Sequence, residues 1–138
     1  MLKRIALGVS LVGALALAGT AFAGGGANKS SSSIKLVLMN AASATTSAPA
    51  GPHWADQVTF DVSTSADYPS VVANCYQNGS LVYRQFGFFY PAPQTPTFKL
   101  QSYVWAGGAA DCTAELYTMD AKKGTSTTLA TTSFHVDA

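Results

Sequence analysis

The fold is decided by residues 105–117, which read WAGGAADCTAELY. After the two glycines, small or apolar residues alternate with polar or aromatic ones, as on a β-strand that buries one face. The inward positions are Cys112, Ala114 and Leu116, and the outward positions are Asp111, Thr113, Glu115 and Tyr117. This pattern predicts a central strand of a β-sandwich, with Cys112 directed toward the only other cysteine of the chain, Cys75.

Six further segments predict strands, because each has strand-like alternation or strand-forming residues between turn signals. The clearest is 57–64, QVTFDVST, in which Val58, Phe60 and Val62 are predicted to point inward. The other five are 34–39, 71–77, 80–85, 97–103 and 127–136. Strands of this number, length and spacing predict an all-β fold, an immunoglobulin-like antiparallel β-sandwich of about seven strands in residues 34–138.

The pair of segments 71–77 and 80–85 contains the strongest hairpin signal in the chain. Asn78-Gly79 is typical of a two-residue type I′ turn, whose central positions both need positive φ. Such a turn closes the loop between Gln77 and Ser80. It then pairs Tyr76 with Leu81 and Cys75 with Val82.

Two segments interrupt the regular alternation. Residues 86–98 contain Pro91, Pro93 and Pro96, which exclude a central strand and predict an irregular crossing between the sheets. In the last strand, Leu129 and Phe134 are an odd number of residues apart, so they share a face only if a bulge separates them. We expect this bulge between Ala130 and Ser133.

The segments CYQNGSLVY (75–83) and WAGGAADCTAELY (105–117) resemble small secreted immunoglobulin-like domains of bacteria. The resemblance covers residues 34–138 and departs from antibody domains in two ways. Cys75 lies on the third strand, where an antibody domain has Trp, and no Tyr stands two residues before Cys112. The resemblance implies a role in binding or display, while a fold of this kind does not by itself determine function.

The N-terminus predicts export. Residues 1–23 combine a basic start, an apolar core and the small-x-small motif Ala21-Phe22-Ala23, which together are typical of a cleaved signal peptide. The alternative, a membrane anchor, is less favoured because glycines and a serine interrupt a short apolar run. Residues 24–33 are a flexible Gly/Ser leader, and we expect a secreted, extracellular domain with no membrane span after cleavage.

Composition gives little support to most functional classes. Charged residues make up 11% of the chain and the formal net charge is +1, so no basic field for nucleic acid is present. The only histidines, His53 and His135, are far apart in sequence, and the chain has a single Glu. We therefore expect no catalytic site, no metal and no cofactor.

The two cysteines are expected to form a disulfide, because the chain is predicted to be exported to an oxidising compartment. In the predicted hairpin, Cys75 directs its backbone hydrogen bonds toward Val82 and away from the strand on its other side. If the strand of Cys112 lies there, the two cysteines face each other across neighbouring strands, at about 4.5 Å between Cα atoms. The bond would then join two strands of one sheet.

The best functional candidate is the outward face of the sheet that carries this disulfide. Tyrosines interleaved with small polar residues are typical of surfaces that contact a protein or a glycan. The predicted binding face comprises Asn74, Tyr76, Leu81, Tyr83, Thr113, Glu115 and Tyr117. The simpler interpretation is a solvated sheet, because tyrosine also favours strands.

Three classes of function follow. We favour a non-enzymatic binding module at the cell surface, acting as a monomer or with weak self-association, whose partner is a protein or a glycan. A structural component of the cell envelope or of a filament would instead show a long unpaired edge strand. A small secreted hydrolase would gather His53 and acidic residues in a cleft.

Cleavage after Ala23 is the first testable prediction. Signal peptidase recognises the small residues Ala21 and Ala23, so the exported protein should begin at Gly24. Intact-mass analysis of the protein recovered outside the cell measures this directly. A mass that retains the hydrophobic segment 5–18 would contradict a released domain.

Overall fold

Two antiparallel sheets pack face to face in the computed structural model, which describes residues 31–39 and 51–138. The strands are β1 Ser33–Leu38, β2 Gln57–Ser63, β3 Ser70–Gln77, β4 Ser80–Phe88, β5 Phe98–Lys99, β6 Ala110–Asp120 and β7 Thr125–Val136. The prediction of an all-β antiparallel sandwich of about seven strands is confirmed. The predicted signal peptide 1–23, most of the leader 24–33 and the loop segment 40–50 lie outside the described residues.

The larger sheet is built from two consecutive strand pairs, β3–β4 and β6–β7. One sheet has the order β1-β2-β5 and the other the order β4-β3-β6-β7. Strands β3 and β6, which carry the two cysteines, are neighbours in the centre of the four-stranded sheet. Across residues 31–39 and 51–138, no helix is long and apolar enough to cross a membrane.

The core lies between the two sheets and is built from the inward positions of the strands. Fully buried residues from both sheets meet around Trp105, whose indole N–H donates to the carbonyl of Gly108 at 3.1 Å. The largest fully buried side chains are those of Trp105, Phe60, Phe98, Leu100, Leu116, Val58, Val71 and Val136. Phe60 and Phe98 pack edge to face at 5.1 Å between ring centroids, which joins the central strand β2 of the smaller sheet to its edge strand β5.

The disulfide joins neighbouring strands of one sheet, as the sequence predicts. Cys75 lies opposite Cys112 in the β3–β6 register, and their Cα atoms are 4.1 Å apart. Both cysteines are buried, with the disulfide on the core side of the sheet. The bond therefore holds the two central strands in one register.

The predicted pairing of Cys75 with Val82 is wrong, because β4 contains a bulge close to the hairpin turn. Gln77 pairs with Ser80 and Tyr76 with Leu81 as expected, but Cys75 pairs with Tyr83. Val82 is the extra residue. A single inserted residue reverses the alternation of every residue that follows it on the strand.

The bulge moves Tyr83 from the predicted outward face into the core. Its side chain is 4% exposed and its ring packs against Trp105, with centroids 6.1 Å apart. The phenol hydroxyl donates to Oε1 of Gln85 at 2.8 Å, which satisfies its polar group in a buried setting. Tyr83 therefore does not belong to the predicted binding face.

The bulge predicted in the last strand exists, at a neighbouring position. Leu116 pairs with Ala130 and Tyr117 with Thr128, so Leu129 is the extra residue of β7. We expected the bulge between Ala130 and Ser133, where the apolar phase changes in sequence. Leu129, Ala130 and Phe134 all pack against the core because the bulge precedes Ala130.

The proline-rich segment begins later than predicted, since β4 continues to Phe88. Gly87 permits this extension, because a Cβ atom at this position would lie 2.5 Å from the Phe98 ring. The strand predicted at 97–103 is reduced to Phe98–Lys99, although Phe98 and Leu100 point inward as expected. Thr59, which lies between the inward residues Val58 and Phe60, is also buried, and its hydroxyl donates to the carbonyl of Pro96.

Removal of the disulfide should destabilise the sandwich without changing its fold. The bond closes a loop with a sequence separation of 37, which corresponds to about 3–4 kcal/mol of chain entropy in the unfolded state. Urea unfolding of the Cys75→Ala/Cys112→Ala variant should show this loss, and its far-UV spectrum in native buffer should match that of the parent. Equal unfolding midpoints for variant and parent would contradict the stabilising role.

Tyr83 should make the domain sensitive to alkali. Burial raises the pKa of its phenol above the ordinary value of 10.0. Above about pH 10 the unfolded chain therefore loses this proton while the folded chain keeps it, and the free energy of unfolding falls by up to about 1.4 kcal/mol per pH unit. Urea midpoints should drop between about pH 9 and about pH 11. Tyr83→Phe should reduce that drop, and an equal drop in both proteins would contradict the assignment.

Candidate functional site

The solvent-facing side of the four-stranded sheet, which we call the outer face, forms a regular grid. Its residues lie in four cross-strand rows, because the registers of β4, β3, β6 and β7 align their outward positions. The rows are Leu81-Tyr76-Asp111-His135, Arg84-Asn74-Thr113-Ser133, Phe86-Val72-Glu115-Thr131 and Phe88-Ser70-Tyr117-Thr128. Six of the seven residues predicted for the binding face lie on this grid, and the seventh, Tyr83, lies in the core.

The predicted tyrosines do not form one cluster. Tyr76 lies in the first row, on β3, and Tyr117 lies in the fourth row, on β6. The second and third rows, which contain Asn74 and Val72, separate them. Thr113 and Glu115 are half-buried in the middle of the sheet. A surface centred on tyrosine is therefore not what the fold assembles.

Most of the exposed large apolar residues of the outer face lie along β4 instead, and the others are Tyr76 on β3 and Met119 at the end of β6. Phe86 and Phe88 are each 52% exposed, and Leu81 and Tyr76 are also exposed. Phe86 and Phe88 were missed in the sequence because the prolines that follow them predict an irregular segment from residue 86 onward. The signal that could have found them is the alternation of Arg84, Phe86 and Phe88 once the bulge has changed the phase.

We call the exposed β4 residues Leu81, Phe86 and Phe88 the apolar strip. Arg84 lies among them and is held in place. Its Nε donates to Oδ1 of Asn74 at 2.8 Å, and its guanidinium lies 5.9 Å from the ring centroid of Phe86. Asn74 is only 6% exposed, although its side chain is on the outer face, because the longer side chains around it cover it. A buried amide acceptor and an aromatic ring therefore fix the position of a charged group before any partner binds.

The opposite half of the outer face is polar. Along β7 the outward residues are Thr128, Thr131, Ser133 and His135. His135 Nδ1 lies 2.7 Å from Oδ1 of Asp111 and its Nε2 lies 3.8 Å from Oδ1 of Asp137. The outer face thus divides into an apolar strip with Arg84 and a hydroxyl-rich strip with one histidine.

Neither histidine is part of a recognisable catalytic arrangement. His53 Nδ1 lies 3.8 Å from Oδ2 of Asp56, and the backbone of His53 bridges to Asp137. Carboxylates thus orient both rings, but neither ring is hydrogen-bonded to a serine, threonine or cysteine in the described ranges. Residues 31–39 and 51–138 contain no group of three or more His, Cys, Asp or Glu side chains placed to hold a metal ion.

Comparison with known proteins identifies no relative. The chain matches no protein-family model, no curated protein and no solved structure. Its functional assignment therefore depends on the geometry of its surfaces.

Proposed function

We propose that this chain is a secreted, non-enzymatic binding module that contacts a partner protein through the apolar strip of its outer face. The observation that carries this proposal is the apolar strip, in which Leu81, Phe86 and Phe88 are exposed along one strand and Arg84 is fixed among them. Aromatic residues and arginine are the types enriched at protein interfaces. They also supply most of the residues whose removal costs the most binding energy.

Secretion is supported by two features of the chain. The N-terminal sequence has the parts of a signal peptide, and the domain is closed by a disulfide of the kind that persists outside the cytosol. An immunoglobulin-like identity agrees with the strand order, since β3, β6 and β7 are neighbours in one sheet while β1, β2 and β5 form the other.

The platform is suited to rigid docking. Val72 and Asn74, the β3 neighbours of Phe86 and Arg84, are buried, and Arg84 is bonded to Asn74 and lies over the Phe86 ring. The side chains of this domain therefore lose little conformational entropy when a partner binds. A protein surface of complementary shape, with a carboxylate opposite Arg84, fits these features.

The structural alternative is favoured by one observation. Strand β7 is twelve residues long, forms an edge of its sheet, and has no charged residue or proline between Thr125 and Phe134. Edges of soluble sheets are usually protected by such residues, because unpaired backbone groups recruit other strands. A filament subunit would use this edge, whereas a monomeric binding module would use the apolar strip.

Replacement of two exposed phenylalanines tests the proposal. The Phe86→Thr/Phe88→Thr variant should lose partner capture, with affinity at least about tenfold weaker, because these side chains supply the buried area of the interface. The measurement is capture from envelope extracts of the secreting cells, followed by titration of the protein that the parent retains. Threonine is used because it favours strands as phenylalanine does.

The matched control is Val37→Thr, which changes an exposed apolar residue on the other sheet and should capture the same protein as the parent. Retention of full affinity by the double variant would contradict the proposal. Concentration-dependent growth of the purified parent into long assemblies, seen by sedimentation, would instead support the edge of β7 as the functional surface.

A further inference from the structure

A cleft opens at the end of the sandwich, next to the fourth row of the outer face. Its volume is about 480 Å³, and three parts of the chain form its walls. These are the end of β2, the connection between β2 and β3, and the segment that follows β4. No side chain of the apolar strip that the proposed function uses lines this cleft.

Aromatic rings form one side of the cleft. Tyr68 is 64% exposed, and its ring packs against that of Tyr90 with centroids 5.1 Å apart and planes at 81°. Phe88 supports Tyr90 from the other side at 5.7 Å. Tyr90 and Phe88 thus support the Tyr68 side chain, most of which remains exposed to solvent.

Tyr68 is held in this position by its backbone. Its φ of 55° lies in the left-handed region, which is unusual for a bulky residue. The residues on either side are anchored, since the carbonyl of Asp67 accepts from Thr118 Oγ1 and the carbonyl of Pro69 accepts from the amide of Phe89. Such conformations persist where surrounding contacts impose them, and they concentrate at functional sites.

Four polar side chains of the cleft are free to bind a ligand, whereas the Thr64 hydroxyl accepts from the amide of Ala66. The side chains of Asp61, Asp67, Gln94 and Thr95 form no hydrogen bond or ion pair with another residue of the described ranges. Together with the tyrosine hydroxyls they provide both donors and acceptors. No lysine, arginine or histidine lines the cleft, so the formal charge of its lining is negative; Lys35 lies opposite Asp61 on the neighbouring strand β1.

We propose that this cleft binds a neutral saccharide. A pyranose ring presents a face of C–H groups that stacks on an aromatic ring, and its hydroxyls both donate and accept hydrogen bonds. The Tyr68 ring supplies the first contact, while the carboxylates of Asp61 and Asp67 accept from hydroxyls. The same carboxylates repel uronic acids, and a mixed aromatic and polar lining is what small-ligand sites share.

The residues proposed to contact the saccharide differ from those of the apolar strip, and the two surfaces meet at Phe88, which supports Tyr90. The proposed protein partner contacts Leu81, Arg84, Phe86 and Phe88 on the sheet, whereas the saccharide contacts Tyr68 and the carboxylates at the end of the sandwich. The chain would then join a saccharide to a protein. Either binding reaction can fail without the other.

The test is chemical-shift mapping on the mature chain by NMR, with cellohexaose, mannohexaose, chitohexaose and hexagalacturonate as probes. At least one of the three neutral oligosaccharides should cause saturable shifts at Tyr68, Asp67 and Gln94. Tyr68→Asn should weaken that binding at least about tenfold, because asparagine tolerates the left-handed backbone while removing the ring. Hexagalacturonate should cause no shifts at these residues.

The control variant is Tyr103→Asn, which removes a tyrosine that is 98% exposed and does not line the cleft. It should bind as the parent does. The proposal is overturned if none of the neutral probes shifts the cleft resonances, if hexagalacturonate binds as well as they do, or if Tyr68→Asn and Tyr103→Asn bind equally. A spectrum of the unliganded Tyr68→Asn protein that differs only near residue 68 establishes that the variant is folded.

Discussion

The pairing of β3 with β6 is the constraint on which the rest of the structure depends. The disulfide fixes Cys75 opposite Cys112. This pair sets the register of β3 and β6, and with it the pairing of all other residues on these two strands. On the core side the same two strands contribute Val71, Ala73, Ala114 and Leu116, which the smaller sheet covers. One covalent register thus determines which side chains are buried and which form the outer face.

Two bulges adjust the edge strands to this central pair. The extra residue Val82 in β4 directs Tyr83 to Trp105 in the core and brings Phe86 and Phe88 to the outer face. The extra residue Leu129 in β7 lets Leu129 and Phe134 both contact the core. In both strands the bulge places additional side chains in the core on one side of the sheet. It also changes which side chains are exposed on the other side.

The two candidate surfaces differ in chemistry in a way that fits two kinds of ligand. The apolar strip lies along one strand of a sheet and carries a positive charge at Arg84, which Asn74 holds in place. The cleft is concave, carries carboxylates, and exposes the Tyr68 ring beside unpaired polar groups. Phe88 supports the aromatic cluster of the cleft from the end of the strip, so the two surfaces are continuous. These are the surfaces that the proposed protein partner and the proposed saccharide would contact.

The sequence by itself determined the fold class, the disulfide between neighbouring strands and most of the strand positions. Local alternation, the Asn78-Gly79 turn and the two cysteines carry that information, and each acts over a few residues or through a covalent bond. It also predicted six residues of the outer face. Five of them lie on β3 and β6 and follow directly from the phase at Cys75 and Cys112, and the sixth, Leu81, follows from the hairpin turn.

Only the tertiary structure decided the positions of Tyr83, Phe86, Phe88 and Tyr68. The first three depend on the bulge at Val82, for which the sequence has no local signal, because it brings the Tyr83 ring against Trp105, a residue distant in sequence. Tyr68 and Tyr90 are far apart in the chain and meet because the ends of β2, β3 and β4 converge at one end of the sandwich. Local pattern reports which side of a strand a residue occupies, whereas contacts between distant segments decide which exposed residues act together.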